Sequence, residues 1–420
     1  MGFLYQHQRK IVADDKKKVG IFLGTGSGKT LISLLLAKKR VLVIAPKTQR
    51  DDQNWEREMF KSRLAVNLTV ISKEDFRRDW NDLPKFDTII GEEAHTLLGV
   101  TPNTRWRNKQ EIPKASQLYE ALMGYIEKHQ PDRIYMVSAT IMKTPMTVWA
   151  ASQALQYRDM EGKPWDFFEF RKRFYVKLPV PGRDIWVVKN DSATKDLLAS
   201  LVRKLGYVGR LDDYFDVPTQ VYRTVHIELT PKQKARIKDM MIEYPDPMVR
   251  AGKIHQIENG TLSGDEFNAS ESFENGKVDK ILEYADEFPR MIVFAKYTDQ
   301  IRQIAVALKE AKKKVIVISG FEKQNRGEAL KEAAEASECV VVVQAQISAG
   351  WELKEYPVMI FASKTYSFVD YDQAIGRIQR ADNIKKNLYI DLVVKGGPDE
   401  AVNECVENKK DFNERIYANR

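Results

Sequence analysis

The amino-acid sequence predicts an α/β protein of two tandem domains, each a mainly parallel sheet flanked by helices, with a cleft between the domains. Three observations predict this fold class. The chain has 420 residues, which suits two domains of about 200 residues better than a single core. Short β-branched runs alternate with amphipathic stretches in two separate series. Hydrophobic residues make up 43% and charged residues 30% of the chain, as in ordinary folded proteins.

Each series of apolar runs predicts the strands of one sheet. Such runs are typical of parallel strands, because helices cover both faces of a parallel sheet. The runs of the first series are Val19–Leu23, Val41–Ala45, Leu68–Ile71, Thr88–Ile90 and Ile134–Val137, and those of the second are Met291–Ala295, Lys314–Ile318, Val340–Val343, Val358–Ala362 and Leu388–Val393.

The two series divide the chain into two lobes and a linking segment. Residues 1–220 are expected to form the first lobe, with a helical and aromatic decoration at about 160–212. Residues 221–280 are expected to link the lobes, and they include a Gly-, Ser- and Asn-rich stretch that predicts a mobile loop. Residues 281–420 would form the second lobe and end in a helix.

Charge and cysteine content narrow the class of protein only a little. Lys and Arg exceed Asp and Glu by 67 to 59, and the pI is about 9.1. This excess favours a polyanionic partner, but it is equally compatible with none. Cys339 and Cys405 have no zinc-like spacing and fit a reducing cytoplasm. Because no stretch is long enough to span a bilayer, we expect a cytoplasmic protein with no membrane partner.

A glycine-rich loop follows the first predicted strand and precedes a helix-like stretch. Glycines let backbone N–H groups face phosphate oxygens, and the N-terminus of the following helix favours their negative charge. Lys29 can then reach the β- and γ-phosphates of ATP, and Thr30 can bind Mg²⁺. Leu23 stands where the strict pattern has glycine, and a chance Gly-Lys-Thr turn is the alternative. The predicted ATP-binding residues of the loop are Gly24, Thr25, Gly26, Ser27, Gly28, Lys29 and Thr30.

Two carboxylates follow the strand predicted at Thr88–Ile90. They lie at the carboxyl end of a buried strand, where open α/β sheets bind ligands. Glu92 is predicted to hold Mg²⁺ through water, and Glu93 to polarise the water that attacks in phosphoryl transfer. His95 would relay contacts toward the other lobe. An exposed acidic turn without a function is the alternative.

A glutamine and two arginines follow the second series of runs. Arg377 and Arg380 are three residues apart, which puts them on one face of a predicted helix that begins near Gln373. Arginines in this arrangement are typical of arginine fingers, which stabilise the charge on a transferring phosphoryl group. A plain surface helix is the alternative.

With these motifs the chain resembles superfamily 2 helicases, and among them the Swi/Snf-like branch of double-stranded DNA translocases with its small bacterial and phage members. The resemblance runs nearly end to end and implies two RecA-like lobes that close on ATP. Helicases usually have Asp-Glu-Ala-His where this chain has Glu92-Glu93-Ala94-His95, so the first acid is longer by one methylene.

Further motifs extend the resemblance to more residues. Gln8 is similar to the adenine-reading glutamine of the family. Trp351 departs from the Gly-Leu-Asn-Leu motif of the family, and it could stack on a base or equally be core packing. The resemblance implies nucleic-acid contacts for Pro46, Lys47, Ser72 and Trp351, and a coupling of hydrolysis to movement for His95, Ser138, Thr140, Gly350 and Gln373.

The resulting expectation is a DNA-dependent ATPase that uses ATP and Mg²⁺ to translocate on DNA or remodel it by branch migration, annealing or unwinding. Duplex or branched DNA is favoured over RNA, and a partner protein could supply targeting. Other classes stay open: a DNA clamp or regulator whose hydrolysis is impaired by Glu92, a P-loop kinase or metabolic ATPase, and an RNA helicase.

Overall fold

The chain forms two compact units, Met1–Phe215 and Asp216–Arg420. The structure is a computed structural model that describes residues 4–139, 144–180, 183–189, 191–216, 218–264, 269–321, 326–347, 351, 353–378 and 385–408. Within these residues each unit contains one six-stranded sheet, and all strand pairs of both sheets are parallel. The predicted fold class, a pair of RecA-like α/β domains, is therefore confirmed.

The first unit alternates strands with helices and adds two antiparallel hairpins. Its sheet has the strand order β10-β1-β7-β4-β2-β3, and the hairpins are β5–β6 and β8–β9. The elements are α1 (Gln6–Asp14), β1 (Lys18–Leu23), α2 (Lys29–Leu36), β2 (Arg40–Ala45), α3 (Lys47–Asp51), α4 (Asn54–Lys61), β3 (Asn67–Ser72), α5 (Lys73–Asp79), β4 (Thr88–Glu92), α6 (Ala94–Leu97), β5 (Val100–Arg107), β6 (Gln110–Ala115), α7 (Gln117–His129), β7 (Arg133–Val137), α8 (Pro145–Ala154), α9 (Phe167–Phe174), β8 (Tyr175–Val180), β9 (Arg183–Val188), α10 (Ser192–Leu205) and β10 (Gly206–Gly209).

Successive residues of the strands pack on opposite faces of this first sheet. On β2, Leu42 and Ile44 join a cluster with residues of α7, α8 and α10, whereas Val41 and Val43 join a cluster with residues of α1, α2 and α4. Both faces are thus covered by helices, which explains why the strands are continuous apolar runs. Most polar side chains of this region therefore lie in the loops at the ends of the strands.

The second unit has the same plan, with the strand order β11-β18-β17-β14-β16-β15 and a short hairpin β12–β13. Residues 221–280, expected to link the lobes, contribute a strand, two helices and this hairpin to the unit. The elements are β11 (Val221–Ile227), α11 (Pro231–Glu243), α12 (Pro247–Glu258), β12 (Thr261–Leu262), β13 (Glu271–Ser272), α13 (Gly276–Glu287), β14 (Arg290–Ala295), α14 (Thr298–Glu310), β15 (Val315–Ile318), α15 (Arg326–Glu335), β16 (Cys339–Gln344), β17 (Val358–Phe361), α16 (Phe368–Ile375), β18 (Leu388–Val394) and α17 (Pro398–Glu407).

The helices of the described part are all too short or too polar to cross a membrane.

A buried ion pair joins helices α13 and α17 to the carboxyl edge of the second sheet. Lys277 is 0% exposed, and its Nζ donates to Asp399 Oδ2 at 2.8 Å, to Asn259 Oδ1 at 2.7 Å and to Ala362 O at 2.7 Å. Asp399 Oδ2 also accepts the backbone N–H of Val394, the last residue of β18. Although burial alone would raise the pKa of Asp399, the charge of Lys277 lowers it, so the carboxylate stays ionised.

We expect Lys277→Met to lower the free energy of unfolding of the second unit by about 3–5 kcal/mol, because Asp399 would remain buried without its cationic partner. Lys280→Met is the matched control: Lys280 is on the same helix, and its pair with Glu283 is partly exposed. The control should cost less than about 1 kcal/mol. Urea unfolding of both variants measures the difference, and equal losses would contradict a structural role for the buried pair.

Candidate nucleotide-binding site

Three loops of the candidate site leave the same edge of the first sheet. Gly24 follows β1, Ser138 follows β7 and Glu92 ends β4, and these three strands are neighbours in the order β1-β7-β4. Because the strands are parallel, their carboxyl ends meet at one edge, where adjacent strands are about 4.8 Å apart. The sheet therefore brings the glycine-rich loop, the two acids and Ser138 together.

The glycine-rich loop has the compact conformation that its glycines allow. Gly26 and Gly28 have φ of 83° and 80°, in the left-handed region that favours glycine, and Gly28 is the N-cap of α2. The carbonyl of Gly24 accepts hydrogen bonds from Ser27 Oγ at 2.7 Å and from Lys29 Nζ at 3.0 Å. The Lys29 amine thus lies across the loop that is predicted to hold phosphate, and the two threonines of the motif lie within this loop and in the first turn of α2.

Gln8 supports the loop from the side of α1. It is 3% exposed, its Nε2 donates to Ser27 O at 3.1 Å, and its Oε1 accepts from the backbone N–H of Tyr5 at 3.1 Å. A Cβ at Gly28 would lie 2.3 Å from Gln8 Nε2, so the glycine lets the glutamine approach closely. These contacts bring Gln8 to the predicted ATP site, and its role as adenine reader stays a prediction.

We expect Gly28→Ala to destabilise the first unit more than Gly162→Ala. Both glycines have positive φ, 80° and 76°, so an alanine costs about 1 kcal/mol at either position. At Gly28 the new methyl group would also displace Gln8, whereas nothing lies within 4 Å of a Cβ at Gly162. Free energies of unfolding in urea measure the two losses, and a loss at Gly28 no larger than at Gly162 would contradict the close approach of Gln8.

Glu92 is a buried carboxyl group surrounded by charges. One of its oxygens, Oε2, has no hydrogen-bond partner among the described residues. Burial and, to a smaller extent, the negative charge of Glu93 raise the pKa of Glu92 to about 7, although the charges of Lys29 and Lys73 act in the opposite direction. The Lys29 amine therefore acts electrostatically on Glu92, as the prediction of a shared nucleotide site requires.

Glu93 has a strained backbone and is the N-cap residue of helix α6. Its φ and ψ are 45° and 56°, a left-handed conformation that is rare outside glycine and is often found at functional sites. His95 Nδ1 lies 3.4 Å from Glu93 Oε2 and 2.9 Å from Ser138 Oγ. His95 thus connects the loop after β4 with the loop after β7. Thr140, predicted to act with Ser138, lies outside the described residues.

Lys73 is a site residue that the sequence analysis missed. It is buried at the start of α5, and its Nζ donates to the carbonyl of Glu93 at 3.2 Å and to Thr96 Oγ1. Burial lowers the pKa of Lys73 to about 8, while the carboxylates of Glu93 and Glu92 oppose the shift. We infer that Lys73 holds the strained backbone of Glu93. The sequence does not predict this role, because most lysines lie on the surface. Its position directly after Ser72 is the only feature of the sequence that points to Lys73.

If Glu93 activates water, Lys73→Met should lower the turnover number for ATP by about 10- to 100-fold, because the carboxylate would lose its fixed position. ATP affinity should change little, since Lys73 donates to the Glu93 backbone and to Thr96. Steady-state kinetics and nucleotide binding measure the two effects separately. The control is Lys61→Met, at an exposed position on α4. A turnover number equal to that of this control would contradict the role of Lys73.

The residues present fit a magnesium ion bound together with a nucleotide. The described part of the chain has no group of three His, Cys, Asp or Glu side chains that could hold a metal ion by themselves. Mg²⁺ needs only one or two carboxylates when substrate phosphates and water complete its shell. Glu92 Oε2 is a buried acceptor available for such a shell, directly or through water. Thr30, the second predicted ligand, lies in the first turn of α2.

Two of the three predicted nucleic-acid residues of the first unit are near the protein surface. Pro46 is the N-cap of α3, and Lys47 follows it with an exposed side chain. Ser72 is buried instead. Its hydroxyl donates to Asp75 Oδ2 at 2.6 Å and accepts the backbone N–H of Asp75 at 3.0 Å, so it caps helix α5. The contacts of all three with nucleic acid stay predictions.

Of the two alternatives given for Trp351, the structure has core packing. The side chain is 3% exposed, its Nε1 donates to Ile347 O at 2.7 Å, and its ring stacks on Phe294 with centroids 6.0 Å apart. A base could stack on Trp351 only if the ring left this core.

Arg377 lies in the turn after α16, not within the expected helix, because the helix ends at Ile375. Its guanidinium is buried and donates to Trp351 O at 3.1 Å. Gln373 is buried within α16. Gly350 and Arg380 lie outside the described residues, so the predicted pair of arginines stays a prediction.

Residues 275–382, which begin before α13 and end after Arg377, match the helicase conserved C-terminal domain. The chain is thus related to superfamily 2 helicases. The helicase C-terminal domain confirms the relation predicted from the motifs, and the Swi/Snf-like branch stays a prediction. No curated protein matches the chain.

Solved structures of helicases and related ATPases are similar to the chain over nearly its whole length. The helicase domain of Hef from Pyrococcus furiosus is 15% identical, with 96% of this chain and 97% of that chain covered and a TM-score of 0.50. The SWI2/SNF2 ATPase core from Sulfolobus solfataricus, solved in complex with double-stranded DNA, is 17% identical, with 99% and 92% covered and a TM-score of 0.38. At these identities the likeness to Hef supports the helicase fold alone.

Proposed function

We propose that this chain is a nucleic-acid-dependent ATPase that couples hydrolysis to movement along DNA or to remodelling of DNA. One observation carries the proposal: Lys29, held across a glycine-rich loop, and the neighbouring acids Glu92, which is buried, and Glu93, which is partly buried, come from loops at one edge of the first sheet. A phosphate cradle beside two acids is the arrangement that phosphoryl transfer to water requires. The helicase C-terminal domain in the second unit distinguishes this proposal from a P-loop kinase or a metabolic ATPase.

Each residue of the proposed site has one task. The N–H groups of the loop and the Lys29 amine bind the phosphates and stabilise the charge that develops on them. Glu93 orients the attacking water and accepts its proton, while Lys73 and His95 fix the position of Glu93. Magnesium, when bound by Glu92 and Thr30, would neutralise charge on the β- and γ-phosphate oxygens. Arg377 and Arg380 are the proposed arginine fingers.

Nucleic acid is the partner that charge favours. The chain has 67 Lys and Arg against 59 Asp and Glu, and Lys47 is exposed just after β2, the neighbour of β4 in the sheet. Contacts from such lysines to phosphates give binding with little sequence preference and a strong dependence on salt. We propose DNA over RNA because the motifs of the chain resemble those of DNA translocases.

We expect duplex or branched DNA to raise ATP turnover more than RNA does. Lys29→Ala should lower turnover by at least about 100-fold, because the phosphates lose their cationic partner. Glu92→Asp tests whether the shorter acid of the usual helicase motif improves turnover. Rates measured with no nucleic acid, duplex DNA, single-stranded DNA and RNA check the proposal. Turnover that no nucleic acid stimulates would argue against it.

A second candidate is a nucleotide-dependent DNA clamp with impaired hydrolysis. It is favoured by one observation: Glu92, longer by one methylene than the usual aspartate, is buried and has little room to adjust its distance to a metal ion. This candidate predicts DNA binding that depends on ATP, no turnover in the natural sequence, and turnover in Glu92→Asp. Turnover in the natural sequence would exclude it.

A further inference from the structure

The hairpin β5–β6 of the first unit carries an exposed tryptophan between two arginines. Trp106 is 75% exposed and lies near the tip of the hairpin, between Arg105 and Arg107. Asn108 and Lys109 form the two-residue turn, with φ of 51° and 62°. Two successive positive φ values are typical of the type I′ turn, which matches the twist of the strands and fixes the tip. The aromatic ring is therefore presented to solvent on an ordered support.

The two faces of this hairpin differ in chemistry. Residues alternate between faces along a strand, so Trp106 shares one face with its register partner Glu111, and Arg105 and Arg107 share the other face. Glu111 accepts a hydrogen bond from Thr104 Oγ1 on the same face. One face thus offers an aromatic ring and the other offers two guanidinium groups.

A basic cavity of about 780 Å³ lies on the arginine face. Residues of α5, α7 and the hairpin line it, and Glu120 and Glu127 of α7 are among them. Two of its arginines are neutralised: Arg78 pairs with Asp75 and Asp79, and Arg105 pairs with Glu120. The other two have no ion-pair partner within the described part of the chain. The four arginines that line the cavity are Arg77, Arg78, Arg105 and Arg107.

A second basic cavity, of about 570 Å³, lies beside the hairpin. Thr104 and Glu111 line it from the hairpin, and Lys114, Arg171, Lys177 and Trp186 are also part of its wall. The Arg171 guanidinium lies over the Trp186 ring, 4.3 Å from its centroid. Cationic groups beside aromatic faces are the combination that binds single-stranded nucleic acid.

Contacts at its base hold the hairpin in place. Arg171 donates to the carbonyl of Pro102 at 3.0 Å, and Arg105 pairs with Glu120 on α7. The hairpin is thus fixed to α9 on one side and to α7 on the other. Because its base is fixed in this way, the hairpin can keep its position when Trp106 contacts a nucleic acid.

We propose that the hairpin β5–β6 is a wedge that contacts DNA at a junction between paired and unpaired strands. Trp106 stacks on an unpaired base on one face, and Arg77 and Arg107 bind phosphates of the other strand on the opposite face. An aromatic ring stacks on any base, and an arginine fork fits phosphate oxygens, so the contact needs no particular sequence. The inference rests on the proposed function in one respect, that DNA is the partner, and it adds the structure of the DNA that is recognised.

The test compares the binding of forked DNA with that of a blunt duplex of equal length, by fluorescence anisotropy with the full chain. A 2-aminopurine at the first unpaired position of the fork reports stacking on that base. Trp106→Ala should weaken fork binding by about 5- to 100-fold and abolish the change in 2-aminopurine fluorescence, with little effect on the blunt duplex. Arg107→Ala should lower the slope of the logarithm of the binding constant against the logarithm of the salt concentration by about 1 for forked DNA, which corresponds to the loss of one phosphate contact.

Phe60→Ala is the matched control, because Phe60 is an exposed aromatic residue on α4 of the same unit, with 86% of its surface accessible. It should bind both DNA forms like the natural chain, and thermal unfolding of both variants shows whether the fold is kept. Fork binding by Trp106→Ala equal to that by the control would overturn the wedge and leave the proposed function intact. Equal weakening on fork and duplex would also overturn it. Failure of the natural chain to bind either DNA would overturn both proposals.

Discussion

Parallel pairing of β1, β7 and β4 is the constraint on which the candidate site depends. Burial on both faces keeps the middle of these strands mainly apolar, so most of their polar groups lie near the strand ends. Parallel direction then sends the three loops to one edge, although the sequence separates Gly24 from Glu92 by almost a third of the unit. The sheet brings the loops together, and the contacts of Gln8, Lys73 and His95 then fix the positions of individual loop residues.

Much of the fold could be predicted because its signals are local. All ten apolar runs are strands of the two sheets, since a strand buried on both faces has a continuous apolar sequence whatever surrounds it. The conformation of the glycine-rich loop also follows from neighbouring residues, as the positive φ values of Gly26 and Gly28 show. By contrast, the edge strands β10 and β11 and the hairpin β5–β6 are partly exposed and mix polar with apolar residues, so their sequences resemble loops.

The contacts that complete the site could not be predicted, because they join residues far apart in the chain. Nothing near Lys73 indicates that its amine reaches the carbonyl of Glu93. Trp351 could be assigned to a ligand or to the core only after the position of Phe294 was known. The turn that holds Arg377 likewise depends on where α16 stops and on the carbonyl of Trp351. Motifs predict which residues act; the tertiary contacts decide how they are held.

The buried pair of Lys277 and Asp399 has a consequence for where this protein can be cut. The match to the helicase C-terminal domain ends at residue 382, before β18 and α17. A fragment expressed to that limit would lose the strand that lies between β11 and β17, and with it the carboxylate partner of Lys277. Its start at residue 275 would also remove β11. The segment that matches the family is thus shorter than the second unit, and we expect a fragment of this unit to need both flanking segments in order to fold.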